Sequence, residues 1–88
     1  MRIIRSDSFK RDYQKLSEDL QRRADKQLGF FLQDLHHPSL RTKKMEGMWG
    51  QLGIFEARVT KGYRFTFMIQ DDQYILRRIG PHDILKNP

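Results

Sequence analysis

Three runs in the second half of this 88-residue chain alternate apolar with polar residues, and that alternation narrows the folds open to it. Successive side chains of a strand point to opposite faces, so each run predicts a strand with one greasy and one charged side. In Ile54–Thr60 the apolar register is Phe55, Ala57 and Val59, with Glu56 and Arg58 between them. Across 63–69 it is Phe65, Phe67 and Ile69, and Arg64 and Thr66 take the other face. The third run is Tyr74-Ile75-Leu76-Arg77-Arg78-Ile79, where alternation sends Arg77 and Arg78 to opposite faces, so at most one joins a site, and alternation does not say which. Lys61-Gly62 and Asp71-Asp72 supply the turns of a β-meander, and Gly80-Pro81-His82-Asp83 breaks the last strand, after which Ile84 and Leu85 fold back on the core. A sheet with one buried face and one face carrying arginines beside a carboxylate suits phosphate, and so points to nucleic acid.

The first half reads as one strand and two helices. Arg2-Ile3-Ile4-Arg5 is a short strand, and Ser6-Asp7-Ser8 offers N-cap oxygens to a helix beginning near Phe9. Apolar residues at Phe9, Tyr13, Leu16 and Leu20 keep helical spacing, resuming at Ala24, Leu28, Phe31, Leu32 and Leu35. Ser17-Glu18-Asp19 has the form of a cap with an acidic first turn, which divides the stripe into helices over 8–16 and 18–35. Arg11, Lys15, Arg22, Arg23 and Lys26 fall on their solvated sides. His36-His37-Pro38 closes the second helix and has no ligand partners at metal spacing. The stretch 39–53, with three glycines, reads as a loop, and its single tryptophan, Trp49, is either a lid on the core or a base-stacking platform, the core being the expectation. The order is β-α-α-β-β-β: an α+β domain over 1–88, two helices packed on one face of a small twisted, mainly antiparallel sheet.

Seventeen Lys and Arg against 11 Asp and Glu give a net charge of +6, spread over folded segments rather than gathered in a tail. That favours a shaped site for an anionic partner. With no cysteine, neither a disulfide nor a thiolate zinc site holds the fold. The polar start and the lack of a long apolar run predict no signal peptide and no membrane span, and hence a cytoplasmic protein.

Four motifs in order carry a family likeness: Lys43-Lys44-Met45-Glu46-Gly47, then Phe55-Glu56-Ala57-Arg58-Val59, then Gly62-Tyr63-Arg64-Phe65, then Ile79-Gly80-Pro81-His82. Together with size, charge and element order they resemble the RelE/ParE superfamily of toxins from toxin–antitoxin pairs. Members similar to RelE, YoeB and YafQ cut messenger RNA on the ribosome, whereas those similar to ParE inhibit DNA gyrase and are not nucleases. The resemblance implies a toxin held inactive by an acidic antitoxin, acting on ribosome-bound mRNA without metal or other cofactor. The runner-up is a non-catalytic binding protein of the same fold, either a gyrase inhibitor or an inactive homologue.

The cleavage chemistry so implied is attack by the RNA's own 2′-OH, which needs a base, an acid and cations around the phosphate. Glu56 is the candidate base, His82 the acid, and Arg58 and Arg64 the phosphate clamp, through their forked donors. Arg41, Lys43, Lys44, Lys61, Arg77 and Arg78 are the candidate RNA-backbone contacts. Many family nucleases end in an aromatic residue that meets the base. Here the last residues are Ile84-Leu85-Lys86-Asn87-Pro88, and Pro81 stands where some members place a histidine.

Overall fold

The computed structural model describes residues 2–88. Strand β1 (Arg2–Arg5) leads into helices α1 (Asp7–Gln14) and α2 (Glu18–Gln33). After a 3-10 turn at Pro38–Leu40 come β2 (Lys43–Lys44), a short helix α3 (Gly47–Gln51), and the meander β3 (Ile54–Thr60), β4 (Tyr63–Gln70) and β5 (Gln73–Pro81). A second 3-10 helix, His82–Lys86, follows. The five strands lie in the order β1-β5-β4-β3-β2; β1 runs parallel to β5 and every other pairing is antiparallel. The α+β architecture expected from the sequence is therefore present, with the short strand β2 and the helix α3 added inside 39–53. No described helix is long and apolar enough to cross a membrane.

Local chemistry sets the helix ends. The Ser6 hydroxyl accepts from the Phe9 amide at 3.1 Å and that of Ser17 from the Leu20 amide at 3.2 Å, so both serines cap as the sequence suggests. α2 stops at Gln33, two residues before its expected end. Asp34 is already extended, and its carboxylate accepts from the His36 amide at 2.9 Å, which competes with another helical turn. The His37 ring is used structurally: it stacks on Phe30 at 4.0 Å. Tyr13 ties α1 to α2 by donating to Asp25 at 2.8 Å.

The core lies between the helices and one face of the sheet. Phe9, Ala24, Leu28 and Phe31 meet Ala57, Val59, Phe65, Phe67, Leu76 and Ile79, all buried. Phe31 is its centre, edge-on to Phe65 and Phe67. Two expectations fail here. Leu32 is 58% exposed, because α2 turns Phe31 inward and leaves its neighbour on the rim. Trp49 is only half-buried and outside the core cluster: it sits on α3, which packs beside β3 at the sheet's margin rather than beneath it. At Gly50 a Cβ would lie 1.8 Å from the Met45 carbonyl oxygen, so only glycine lets this helix close against its own entry.

Candidate functional site

Direct partners in an antiparallel pair project to the same side, so the strand registers define the face away from the helices. Glu56 lies opposite Thr66, Arg58 opposite Arg64, and Lys43 opposite Glu56. Glu56, Arg58, Arg64 and Thr66 thus form one polar group at the middle of the sheet, with Lys43 at its margin. The Glu56 and Arg64 side chains are only 12% and 16% exposed, and Arg64 Nε stands 3.9 Å from Glu56 Oε1, which is attraction without a hydrogen bond. Arg64 also folds back on the β3–β4 turn: its Nη1 donates to the carbonyls of Thr60 (2.6 Å), Lys61 (2.8 Å) and Tyr63 (3.1 Å). One nitrogen of the fork is thereby committed to holding the turn.

Arg58 is differently placed. Burial, aided by the like charges of Arg41 and Arg64, draws its pKa below the ordinary arginine value. Its Nε is buried without a hydrogen-bond partner, and so is the hydroxyl of Thr66, a residue with no exposed surface. Native proteins pair nearly all such atoms. Two unpaired polar atoms therefore lie on this one face.

The remaining expected residues divide into groups. The His82 amide donates to the Gly62 carbonyl at 3.0 Å, which docks the start of the last 3-10 helix onto the turn that Arg64 holds. The imidazole is exposed, with no side-chain bond to Glu56 or the arginines. Lys61 is exposed at the same turn, and Arg41, with a left-handed φ of 46°, lends its charge to Arg58. Lys44 lies opposite Phe55, so its register sends it to the helix side, away from Lys43.

Arg77 and Arg78 correct the alternation argument. A bulge between Thr66 and Phe67 in the β4–β5 pairing puts both arginines between Leu76 and Ile79, each of which is buried in the core. They therefore do not divide between the two faces by simple alternation. Arg77 donates to the Pro88 carbonyl at 3.2 and 3.3 Å and approaches Met68 Sδ at 3.8 Å. Arg78 grips Asp12 of α1 at 2.6 and 3.2 Å and the Asn87 carbonyl at 3.1 Å, and Asp12 holds its pKa above the ordinary value. Asp12 accepts from the Ile79 amide as well, at 3.1 Å, satisfying the edge of β5 that β1 leaves open. The final residues cross toward this side of the sheet. Ile84 is buried against Gly80, where a Cβ would come within 2.9 Å of its Cγ2. Ile84 thus folds back and is buried, as the sequence led one to expect, with Gly80 as its neighbour.

Gln27 and Asp12 are residues that sequence reasoning missed, and Thr66, though placed on the polar face, was given no role. Gln27 left a signal: a polar residue on the apolar stripe of α2, between Ala24 and Leu28. Thr66 and Asp12 left none, since a strand threonine and a helix aspartate are ordinary. Among the described residues no three His, Asp or Glu side chains gather within reach of one metal ion.

Solved structures with the same architecture are toxins. A YoeB/ParE toxin from Agrobacterium tumefaciens superposes with a TM-score of 0.78 at 14% identity, covering 93% of this chain and 99% of that one. RelE of the RelB–RelE antitoxin–toxin complex from Methanococcus jannaschii gives 0.73 at 15%, covering 96% and 95%. YafQ of the E. coli DinJ–YafQ complex gives 0.71 at 23%, covering 97% and 98%. No family model and no curated protein sequence matches the chain. The fold is thus the α+β fold of the RelE-like toxins, spanning nearly the whole chain, as its motifs led one to expect.

Proposed function

We propose that this protein is the toxin of a toxin–antitoxin pair and cleaves messenger RNA on the ribosome with the polar face of its sheet. The reading rests on one observation above the fold likeness: Glu56, Arg58, Arg64 and Thr66 share a face on which a guanidinium nitrogen and a hydroxyl are buried without partners. A phosphodiester suits the forked donors that Arg58 and Arg64 bring to this face. The Glu56 carboxylate takes the proton of the 2′-OH, whose oxygen attacks the adjacent phosphorus. Arg58 and the free nitrogens of Arg64 neutralise the charge that builds on the phosphorane oxygens. The imidazolium of His82 gives its proton to the departing 5′-oxygen, leaving a 2′,3′-cyclic phosphate and a 5′-hydroxyl. Lys43, Arg41 and Lys61 bind flanking backbone, and Lys44 reaches it only from the far side of β2. Arg77 joins once the Pro88 carbonyl releases it, and Arg78 once both Asp12 and the Asn87 carbonyl do.

An acidic antitoxin is the natural counterpart of a chain with net charge +6. Partner proteins in the RelB–RelE and DinJ–YafQ complexes support that assignment. A second reading, a non-catalytic binding protein of the same fold, is favoured by the hold that Asn87 and Pro88 keep on Arg78 and Arg77. Cell-free translation with purified protein separates the two, with mRNA cuts mapped by primer extension beside a Glu56→Ala/Arg64→Ala/His82→Ala triple variant. Cuts at ribosome-occupied codons that vanish in the variant support the nuclease. Intact mRNA and undiminished translation overturn it, and gyrase supercoiling then becomes the assay.

A further inference from the structure

Beside the polar face, at the edge of the sheet, lies a basic concavity with its own construction. β2 pairs only with Phe55 and Glu56, so the rest of β3 has no strand neighbour on that side. The gap is filled from α2 instead. Gln27, 8% exposed, donates to the Arg58 carbonyl at 2.9 Å and the Ser39 carbonyl at 3.3 Å, and accepts from the Ser39 hydroxyl at 3.4 Å. This amide pins helix to strand and makes a fixed polar floor. Around it lie Arg23, Lys26, Arg58 and Lys61, enclosing about 490 Å³ with no carboxylate in the lining.

The charges are available. Arg23 meets Asp19 at 3.1 Å, but as an exposed helix pair worth little. Lys26, Lys61 and Arg58 have no salt-bridge partner among the described residues. Arg58 belongs both to this concavity and to the group with Glu56 and Arg64, and its Nε is one of the unpaired buried atoms. Four cationic residues and no carboxylate line the concavity, a lining that suits a phosphate.

We propose that this edge pocket is a second phosphate site. It would bind a phosphodiester flanking the scissile one, so that single-stranded RNA runs from the polar face over the open edge of β3 onto α2. The proposal rests on the RNA reading above and adds to it a direction for the strand and two residues, Arg23 and Lys26, from a helix face that otherwise reads as merely solvated.

The test is equilibrium binding of a dinucleotide and of a single-stranded RNA decamer to the full chain, wild type against Lys26→Gln/Lys61→Gln, over a range of salt. Both lysines are exposed, so the variant keeps the fold, and an unchanged circular dichroism spectrum verifies it. Neutralising a single-strand phosphate contributes a slope of about −0.7 in log K against log salt. The wild type is expected to prefer the decamer. The variant should lose about tenfold of decamer affinity at low salt, with a slope shallower by about 0.7 to 1.4. Unchanged decamer affinity and slope overturn the proposal. So does an equal fractional loss for the dinucleotide, which would mark a diffuse charge effect. A poly-glutamate peptide is the third probe: lysine-dependent binding of it, without lysine-dependent RNA binding, would show a carboxylate site and also overturn the proposal. If decamer binding depends on the lysines while mRNA on programmed ribosomes stays uncut, the pocket stands and the nuclease reading falls.

Discussion

The two faces of one sheet obey different rules. On the helix side Phe31 packs its edge against Phe65 and Phe67 with ring centroids 5.3 and 4.7 Å apart, and the apolar residues around them are shut away from water. On the other side, in the same strands, the Arg58 Nε and the Thr66 hydroxyl are buried with nothing to bond. The first face holds the packed apolar core. The second carries a cost that a purely structural sheet would not keep. A strand serves both because its side chains alternate: the residue that builds the core and the one on the polar face are neighbours in the chain and separated by the thickness of the sheet.

The contrast breaks first at the core. Phe31→Ala should destabilise the fold by about 3–5 kcal/mol, enough to unfold much of so small a domain, as read from urea denaturation. A loss below about 1 kcal/mol would mean that the aromatic cluster does not hold the two layers together. Next is the edge between the faces. Asp12→Ala strands both Arg78 and the Ile79 amide, and should cost about 2 kcal/mol, with Asp12→Asn recovering part of it through the amide bond.

The polar face should respond in the opposite sense. Thr66→Val removes a buried hydroxyl that has no partner and should stabilise by about 1 kcal/mol while weakening RNA binding. Arg58→Leu should likewise raise the unfolding midpoint and abolish cleavage. Destabilisation by either would place these groups in structural service and erase the contrast.

The smallest effect is a pH dependence at the helix pair. The hydrogen bond to Asp25, with lesser help from burial and that carboxylate's charge, raises the Tyr13 pKa above its usual value of 10.0. A folded-state pKa above the unfolded one gives stability that is complete below pH 10.0 and lost as pH rises through the folded value. Stability should therefore decline above that pH, and Tyr13→Phe should flatten part of the decline. An identical slope in the variant would remove the link between α1 and α2 from the account.

Much of this was legible in the chain. Capping serines at Ser6 and Ser17, the helical stripe through Phe31, and the alternation that pairs Glu56 with Arg58 are local signals with local causes. What escaped depends on contacts between distant segments. The bulge beside Thr66 shifts the β5 alternation by one residue, and with it Arg77 and Arg78, yet no proline or glycine marks it. Strand β2 has only two residues, too few for any period to register. Trp49 read as core because large aromatics are usually buried, but its helix lies at the sheet's margin. Alternation alone placed Glu56, Arg58 and Arg64 on one face, as the strand register has them. Gln27 and Asp12 were missed, because their partners, Arg58 and Ile79, stand 31 and 67 residues away.

The most direct test of the central claim is the end chemistry of RNA incubated with programmed ribosomes and either wild-type protein or Glu56→Gln. Wild type should leave fragments ending in a 2′,3′-cyclic phosphate with new 5′-hydroxyls. The variant should cut at least about 100-fold more slowly with an unchanged unfolding midpoint. RNA left intact by the wild type, or cut as fast by the variant, would contradict the claim that the polar face of this sheet is a ribonuclease site.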